Sequence, residues 1–419
     1  MSRIVIQILL VVLLFQELLA VNIHPIIDMT DEIIVVFLAF LVLVKLIKTQ
    51  TISKHTMIVS LLAIAFLIIG FISSFLRDGI TINSIISSFL VVKGFIVYLT
   101  IFELTGKNEN KIKLILKTMI VIGYLLMLFA VIDFLFYERF RALLNLEYRA
   151  DIRAGLVSVQ SLMTHPGVYG WFMSLCGIIM FSKFLSNKNK KNIIISIIFF
   201  LFAIISLRFK VIMLLAFLIS YLLFKSKNKI LGIIVVILFV APTFLFFFGD
   251  LLSLTIERYI QIDYDESARK ALYLFSFVIA KDYFPFGTGF GTYGTFQSID
   301  PYSSVYYEFG LNHVWGLSPD NPMWLTDTFW PAILGETGLL GIILYGCVFL
   351  IIFKKRKQIK KRLNSYYYYI FIFVFIHAFL ESLAEQIYFS SPQFIIIFTL
   401  LGLISAELKE EKVEESVDS

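Results

Sequence analysis

Charge is what this sequence has least of. Asp, Glu, Lys and Arg make up 16% of its 419 residues, against about 25% in an ordinary soluble protein. With 59% hydrophobic residues and a mean hydropathy of +0.88, a soluble globule is excluded. Cysteine is almost missing: Cys176 and Cys347 are the two, and both lie inside apolar runs. A disulfide framework therefore has no basis, and packing is their expected role. The five histidines are scattered without ligand spacing, so no metal site emerges. No repeat relates the two halves of the chain, which leaves an inverted-repeat transporter without direct support. A cleavage signal is absent as well. The first apolar run, Ile4 to Val21, follows Arg3 as a signal peptide would, but Leu18-Leu19-Ala20 is not a small-x-small site, and the run is read as the first span.

What the chain does have is hydrocarbon at bilayer length. Apolar runs of about 20 residues recur from end to end, which defines an all-α polytopic membrane protein. About twelve spans are expected, over 4–21, 31–47, 57–76, 82–103, 117–137, 166–184, 192–206, 210–224, 229–249, 329–352, 366–384 and 389–406. The chain then divides into spans one to nine (1–249), a large polar loop (250–328), spans ten to twelve (329–406) and an acidic tail (407–419) expected to be disordered. The net charge of +6 does not point to nucleic acid, because the lysines fall in short loops. Lys45, Lys48 and Lys54, then Lys107, Lys111 and Lys113, Lys188 to Lys191, Lys225, Lys227 and Lys229, and Lys354 to Lys357 all belong to one set of loops. Positive residues stay inside, so these loops and both termini are placed in the cytoplasm and the loop 250–328 outside.

The exceptions to that rule are informative. Arg139, Arg141, Arg149 and Arg153 fall in an outer loop that continues to Thr164-His165-Pro166-Gly167. An amphipathic helix from Glu138 to Tyr148 lying on anionic lipid would account for the first two, while Arg153 reads as a site residue. The run 192–224 is broken by Ser206-Leu207-Arg208-Phe209-Lys210. As one helix it would be roughly 50 Å long, too long for a core of about 30 Å, so a hairpin is expected with both cations at its outer turn. Arginine offers planar bidentate donors for a phosphate and lysine a point charge; an interfacial anchor is the alternative. Lys93 sits mid-span, and burial there requires a partner or a cavity. His377, Glu381 and Glu385 share a helical face, and Glu336 lies about two turns into span ten. An outward cavity lined by Arg208, Lys210, Glu336 and Glu381 would explain these charges; structural ion pairs among them are the alternative.

Loops longer than about 12–15 residues are uncommon unless functional or disordered, and this one is rich in aromatics and in small-residue turns, so it is read as folded. Gly287-x-Gly289-x-Gly291 is not a dinucleotide fingerprint, which needs a strand before it and a helix after it. A helical segment from Ala268 to Ala280 precedes it instead. The glycines serve a tight turn or a close approach.

Taken together, Arg269, then Pro285-Phe286-Gly287-Thr288-Gly289-Phe290-Gly291, then Leu334-Gly335-Glu336-Thr337-Gly338-Leu339-Leu340-Gly341 resemble the loop motifs of the O-antigen polymerase and O-antigen ligase superfamily of bacterial envelope glycosyltransferases. Ser206-Leu207-Arg208 and the stretch from Arg153 to Gly167 are similar to further motifs of that family. The resemblance runs from about residue 120 onward. It implies a GT-C-like helical fold in the bacterial cytoplasmic membrane. It also implies a metal-independent glycosyltransferase without cofactor that joins oligosaccharide repeat units carried on polyprenyl pyrophosphate, making O-antigen, capsule or exopolysaccharide. Its implied partners are that lipid-linked oligosaccharide, the bilayer, and a flippase and a chain-length regulator of the same pathway. Where ligases of the superfamily carry a catalytic histidine, this sequence has Asp327, which favours the polymerase over the ligase; a flippase of lipid-linked sugars is the rival from another class.

Such a transfer requires a cationic partner for the leaving pyrophosphate and a base for the acceptor hydroxyl. Arg208, Lys210, Arg269 and Arg153 are the expected pyrophosphate ligands. Asp327 is the expected base, with Glu336 and Glu381 behind it. Tyr293, Trp315, Trp324 and His313 are expected to contact the sugars, although Tyr and Trp also belong at membrane interfaces.

Overall fold

Helix starts follow local signals in the chain. Ser53, Thr81, Asn108, His165, Asn189 and Asn364 each stand immediately before a helix and accept a hydrogen bond from a backbone N–H of its first turn, satisfying donors that have no partner within the helix. The computed structural model describes residues 3–146, 151–153, 155–226, 230–235, 237–238 and 268–409. Most of the expected ninth span, the first part of the large loop (250–267) and the tail beyond Lys409 lie outside these residues.

The helices are α1 (Arg3–Leu14), α2 (Gln16–Asn22), α3 (Thr30–Thr49), α4 (Lys54–Arg77), α5 (Ile82–Leu104), α6 (Glu109–Leu143), α7 (Pro166–Asn187), α8 (Lys190–Ile204) and α9 (Phe209–Lys225). Beyond the undescribed stretch come α10 (Ala268–Asp282), α11 (Ser304–Glu308), α12 (Trp330–Lys354), α13 (Arg356–Arg362), α14 (Ser365–Ser382) and α15 (Gln393–Ala406). The only ladder among the described residues is a two-residue hairpin pairing Ile152–Arg153 with Leu156–Val157. An all-α membrane protein is therefore what the chain folds into. Among the described residues, five helices are long and apolar enough to cross a bilayer: α4, α5, α6, α7, and α12 with α13 as one element. Six qualify if α1 and α2, bent by 70° at their junction, count as one span. The other apolar helices fall short for visible reasons. α8, α9 and α15 have 15, 17 and 14 residues, and α3 carries Asp31, Glu32, Lys45 and Lys48 within its 20.

The lysine-rich turns collect at one end of the bundle, where Lys45 and Lys409 both reach Glu103 and Lys225 reaches Tyr369. The large loop occupies the other end. It has its own apolar core, built from Leu272, Phe275 and Ile279 of α10 with Tyr293, Tyr306 and Leu317, so it is folded as expected. Lys93 has the partners its position demands: Asp31 at 3.0 Å and Glu32 at 2.6 Å, with the Phe394 ring centroid 4.3 Å away.

The surface-helix reading of Arg141 is corrected. The helix breaks at Phe136, and Arg141 folds back, buried, onto Asp133 at 2.8 and 3.1 Å and onto the Ser158 carbonyl at 2.8 Å. Asp133 also accepts the Gln160 and Ser161 N–H groups, which anchors the chain that leads to the site. Removing one member of a buried pair leaves the other uncompensated, at about 3–5 kcal/mol. Asp133→Ala is expected to destabilise by about that amount in detergent thermal unfolding, whereas Arg139→Ala, on an exposed side chain, should shift unfolding by no more than roughly 0.5 kcal/mol.

Candidate active site

The glycine-rich segment is a clamp on α12. Gly338 interrupts that helix with φ +63° and ψ −164°, and Gly287, at φ +81°, lies against the break. A Cβ on Gly287 would meet Gly338 N at 2.5 Å, and one on Gly338 would meet Pro285 O at 2.4 Å. Only two glycines allow these backbones to touch. Thr288 N donates to Gly335 O at 2.9 Å and Gly289 N to Glu336 O at 2.8 Å. The Glu336 side chain completes the joint: its Oε1 accepts the N–H groups of Gly291, Thr292 and Tyr293 at 2.8–3.2 Å and the Thr295 hydroxyl at 2.8 Å. The expectation that Glu336 faces an outward cavity is thereby corrected. Its carboxylate is buried: Oε1 is taken by the loop, and Oε2 accepts the Ser87 hydroxyl of α5 at 3.4 Å.

Beside this joint opens a cleft of about 690 Å³ at the loop end of the bundle. Of the residues singled out from the sequence, Arg153, Arg208, Arg269, Asp327, Trp315 and Trp324 all line it. Arg208 is presented by the tight turn between α8 and α9, where Leu207 takes φ +53°. Its Nη2 donates to Asp151 Oδ2 at 2.6 Å. Arg153 Nε reaches the other oxygen of Asp151 at 3.1 Å. Arg269 comes from the first turn of α10 and donates to Asp327 Oδ2 at 2.6 Å. Each of Arg208 and Arg269 also keeps a buried Nε–H with no partner among the described residues, and an unmet buried donor costs about 1–3 kcal/mol. Both guanidinium groups are thus only partly satisfied, each by one aspartate oxygen. Trp315 and Trp324 form a tilted pair with ring centroids 6.3 Å apart, and Trp315 is 65% exposed.

Burial raises the Asp327 carboxyl above the usual aspartate range, and the neighbouring Arg269 partly offsets this. Burial first, and the Arg153 charge second, lower the Arg208 pKa. His165 caps the start of α7 and lines the same cleft. Burial and then the Arg208 charge push its pKa down to about 4, so it is neutral at physiological pH. Its Nδ1 accepts the Gly167 N–H at 3.1 Å, and its Nε2 lies 3.4 Å from Arg208 Nη2.

Beneath the cleft lies a line of buried charge. Lys210 sits between Glu381 at 2.6 Å and Glu385 at 2.5 Å, and Glu381 meets His377 at 3.2 Å. Only Glu385 of these lines the cleft. Lys210 and Glu381, expected on the cavity wall, instead neutralise each other under it. Two expected sugar contacts also fall elsewhere. Tyr293 is buried, donates to Leu272 O at 2.7 Å and stacks on Tyr306, so it belongs to the loop core. His313 is exposed, beside Asn312 and away from the cleft.

Sequence reasoning had not assigned His165, Glu385, Glu17, Gln386 and Gln393 to the site, although all five line it. Two had signals. His165 precedes the Pro166 that opens α7, and Glu385 follows Glu381 by one helical turn. The sequence matches no protein-family model and no curated protein.

Proposed function

We propose that the chain is a polysaccharide polymerase of the bacterial cytoplasmic membrane. It would join oligosaccharide repeat units carried on polyprenyl pyrophosphate, at the outer leaflet, with the loop end of the bundle outside and the lysine-rich end and both termini in the cytoplasm. The about twelve spans and the GT-C-like arrangement belong to this reading. One observation carries it. Two arginines with partnerless Nε donors converge, inside a cleft at one end of an apolar bundle, with an aspartate of raised pKa. That is cation for a departing pyrophosphate and base for an attacking hydroxyl. The tryptophan pair supplies flat faces for sugar rings.

In the step itself, the acceptor hydroxyl oxygen bonds to the anomeric carbon of the donor as the bond from that carbon to pyrophosphate breaks. The electron pair leaves with the lipid pyrophosphate, held by Arg208 and Arg269, and the hydroxyl proton passes to Asp327. Both arginines are paired with aspartates. A pyrophosphate offers the planar guanidinium a stronger bidentate partner, so its arrival turns Arg269 away from Asp327 and frees that carboxylate to accept the proton.

The test is turnover of a lipid-linked repeat unit by purified protein, read as a ladder of polymer lengths. No ladder from folded protein, with transbilayer movement of the same lipid in liposomes, would replace this reading by a flippase. The ladder also has a pH signature. A base works ionised, and Asp327 titrates above the ordinary aspartate range. Turnover is therefore full above that raised pKa and falls as pH drops through it. Asp327→Asn should lower turnover by roughly 10²–10⁴-fold and abolish the acid limb. An unchanged acid limb in that variant would remove Asp327 from the role.

A further inference from the structure

A second cavity, of about 640 Å³, lies at the opposite, lysine-rich end of the bundle between α6, α7 and the start of α14. Its inner wall is aliphatic: Ile120 and Val121 from one helix face Ile179 and Met180 from the next. Above this wall stand Lys117 and Lys183, both exposed. Lys117 lies about 12 Å into α6 from its first residue and Lys183 about 6 Å from the last residue of α7, so the two helices bring their lysines to one mouth. Lys113 also lines the cavity but is taken by Glu109 one turn away. Neither Lys117 nor Lys183 has an ion-pair partner among the described residues. The rim is closed by hydrogen bonds from Ser186 to Asn364 at 3.2 Å and to Ser365 at 2.9 Å.

We propose that this groove is a binding site for an anionic phospholipid. The phosphate sits between Lys117 and Lys183, and an acyl chain lies along Ile120, Val121, Ile179 and Met180. The occupant follows from the two halves of the cavity. Two ammonium groups at the end of apolar stems prefer a headgroup with net negative charge. A zwitterionic lipid brings its own cation to the same place and loses that advantage. A free inorganic phosphate would leave the aliphatic wall uncovered. The site is distinct from the cleft and stands whether or not the chain is a polymerase.

Native mass spectrometry of the full chain in detergent tests it, with phosphatidylglycerol and phosphatidylcholine of matched acyl chains as probes. Phosphatidylglycerol is expected to be retained in preference, and inorganic phosphate not to displace it. The Lys117→Ala/Lys183→Ala variant should bind phosphatidylglycerol roughly thirtyfold more weakly. Met180→Trp, which fills the apolar half, should weaken it with both lysines intact. Lys190→Ala/Lys191→Ala, in the neighbouring turn but off the cavity, should change nothing and controls for surface charge. Equal retention of phosphatidylcholine, displacement by inorganic phosphate, or unchanged binding in the double lysine variant would each overturn the proposal.

Discussion

Arg208→Ala and Arg269→Ala are each expected to reduce polymer formation by about 10²–10³-fold while the protein still folds. That is the usual loss when one preorganised donor to a developing anion is removed. The folded state should tolerate the change because each guanidinium is held by a single aspartate oxygen at 2.6 Å and keeps an Nε–H unmet among the described residues. Arg208→Lys should recover only part of the activity, since an ammonium restores charge without the planar fork. Asp151→Asn should act in the opposite direction on binding. It removes the carboxylate that competes with pyrophosphate for Arg208 and Arg153, so inorganic pyrophosphate should bind that variant more tightly. Polymer lengths and pyrophosphate titrations on the same preparations check both signs. Wild-type ladders from the arginine variants would sink the proposed chemistry.

Gly338→Ala should be strongly destabilising for so small a substitution. Two penalties coincide there. A non-glycine residue at φ +63° bears about 1–3 kcal/mol of backbone strain. The new Cβ would also lie 2.4 Å from Pro285 O and 2.6 Å from Phe286 C, and backbone atoms cannot step aside as a flexible side chain can. Overpacking adds about 1–3 kcal/mol, so a total loss of roughly 2–6 kcal/mol is expected. Gly346, on the same helix, is the internal control, because a Cβ there meets nothing within 4 Å. Gly346→Ala should be neutral or stabilising by up to about 1 kcal/mol. Thermal unfolding in detergent separates the two; equal midpoints would mean that the clamp does not exist.

Most helix positions among the described residues were legible because lipid-length apolar runs are a local property, and so are the caps that the structure adds. Ser53, Thr81 and Asn108 cap where they stand. Six residues of the cleft lining were also legible, since they stand in outer turns and loops that break the charge pattern or are too long to be mere connections. The rest depended on partners distant in the chain. Glu336 reads as an intramembrane acid until the amides of 291–293 close around it. Lys210 reads as an interfacial cation until α14 brings Glu381 and Glu385 against it. Arg141 reads as a surface charge until the break at Phe136 turns it onto Asp133. Each was misplaced for the same reason: a lone charge shows the need for a partner but not the partner's position.

The joint between the glycine segment and α12 also determines how that segment can move. Backbone hydrogen bonds and four contacts to a single carboxylate oxygen make residues 285–295 and the first turns of α12 one solid piece. The loop cannot lift as a flap on a hinge without tearing that piece apart. Any displacement of this segment must enter as a tilt or rotation of the start of α12. Helix tilt in turn answers to the thickness of the surrounding bilayer. The position of the glycine segment thus follows the start of α12 and, through it, the lipid around the bundle.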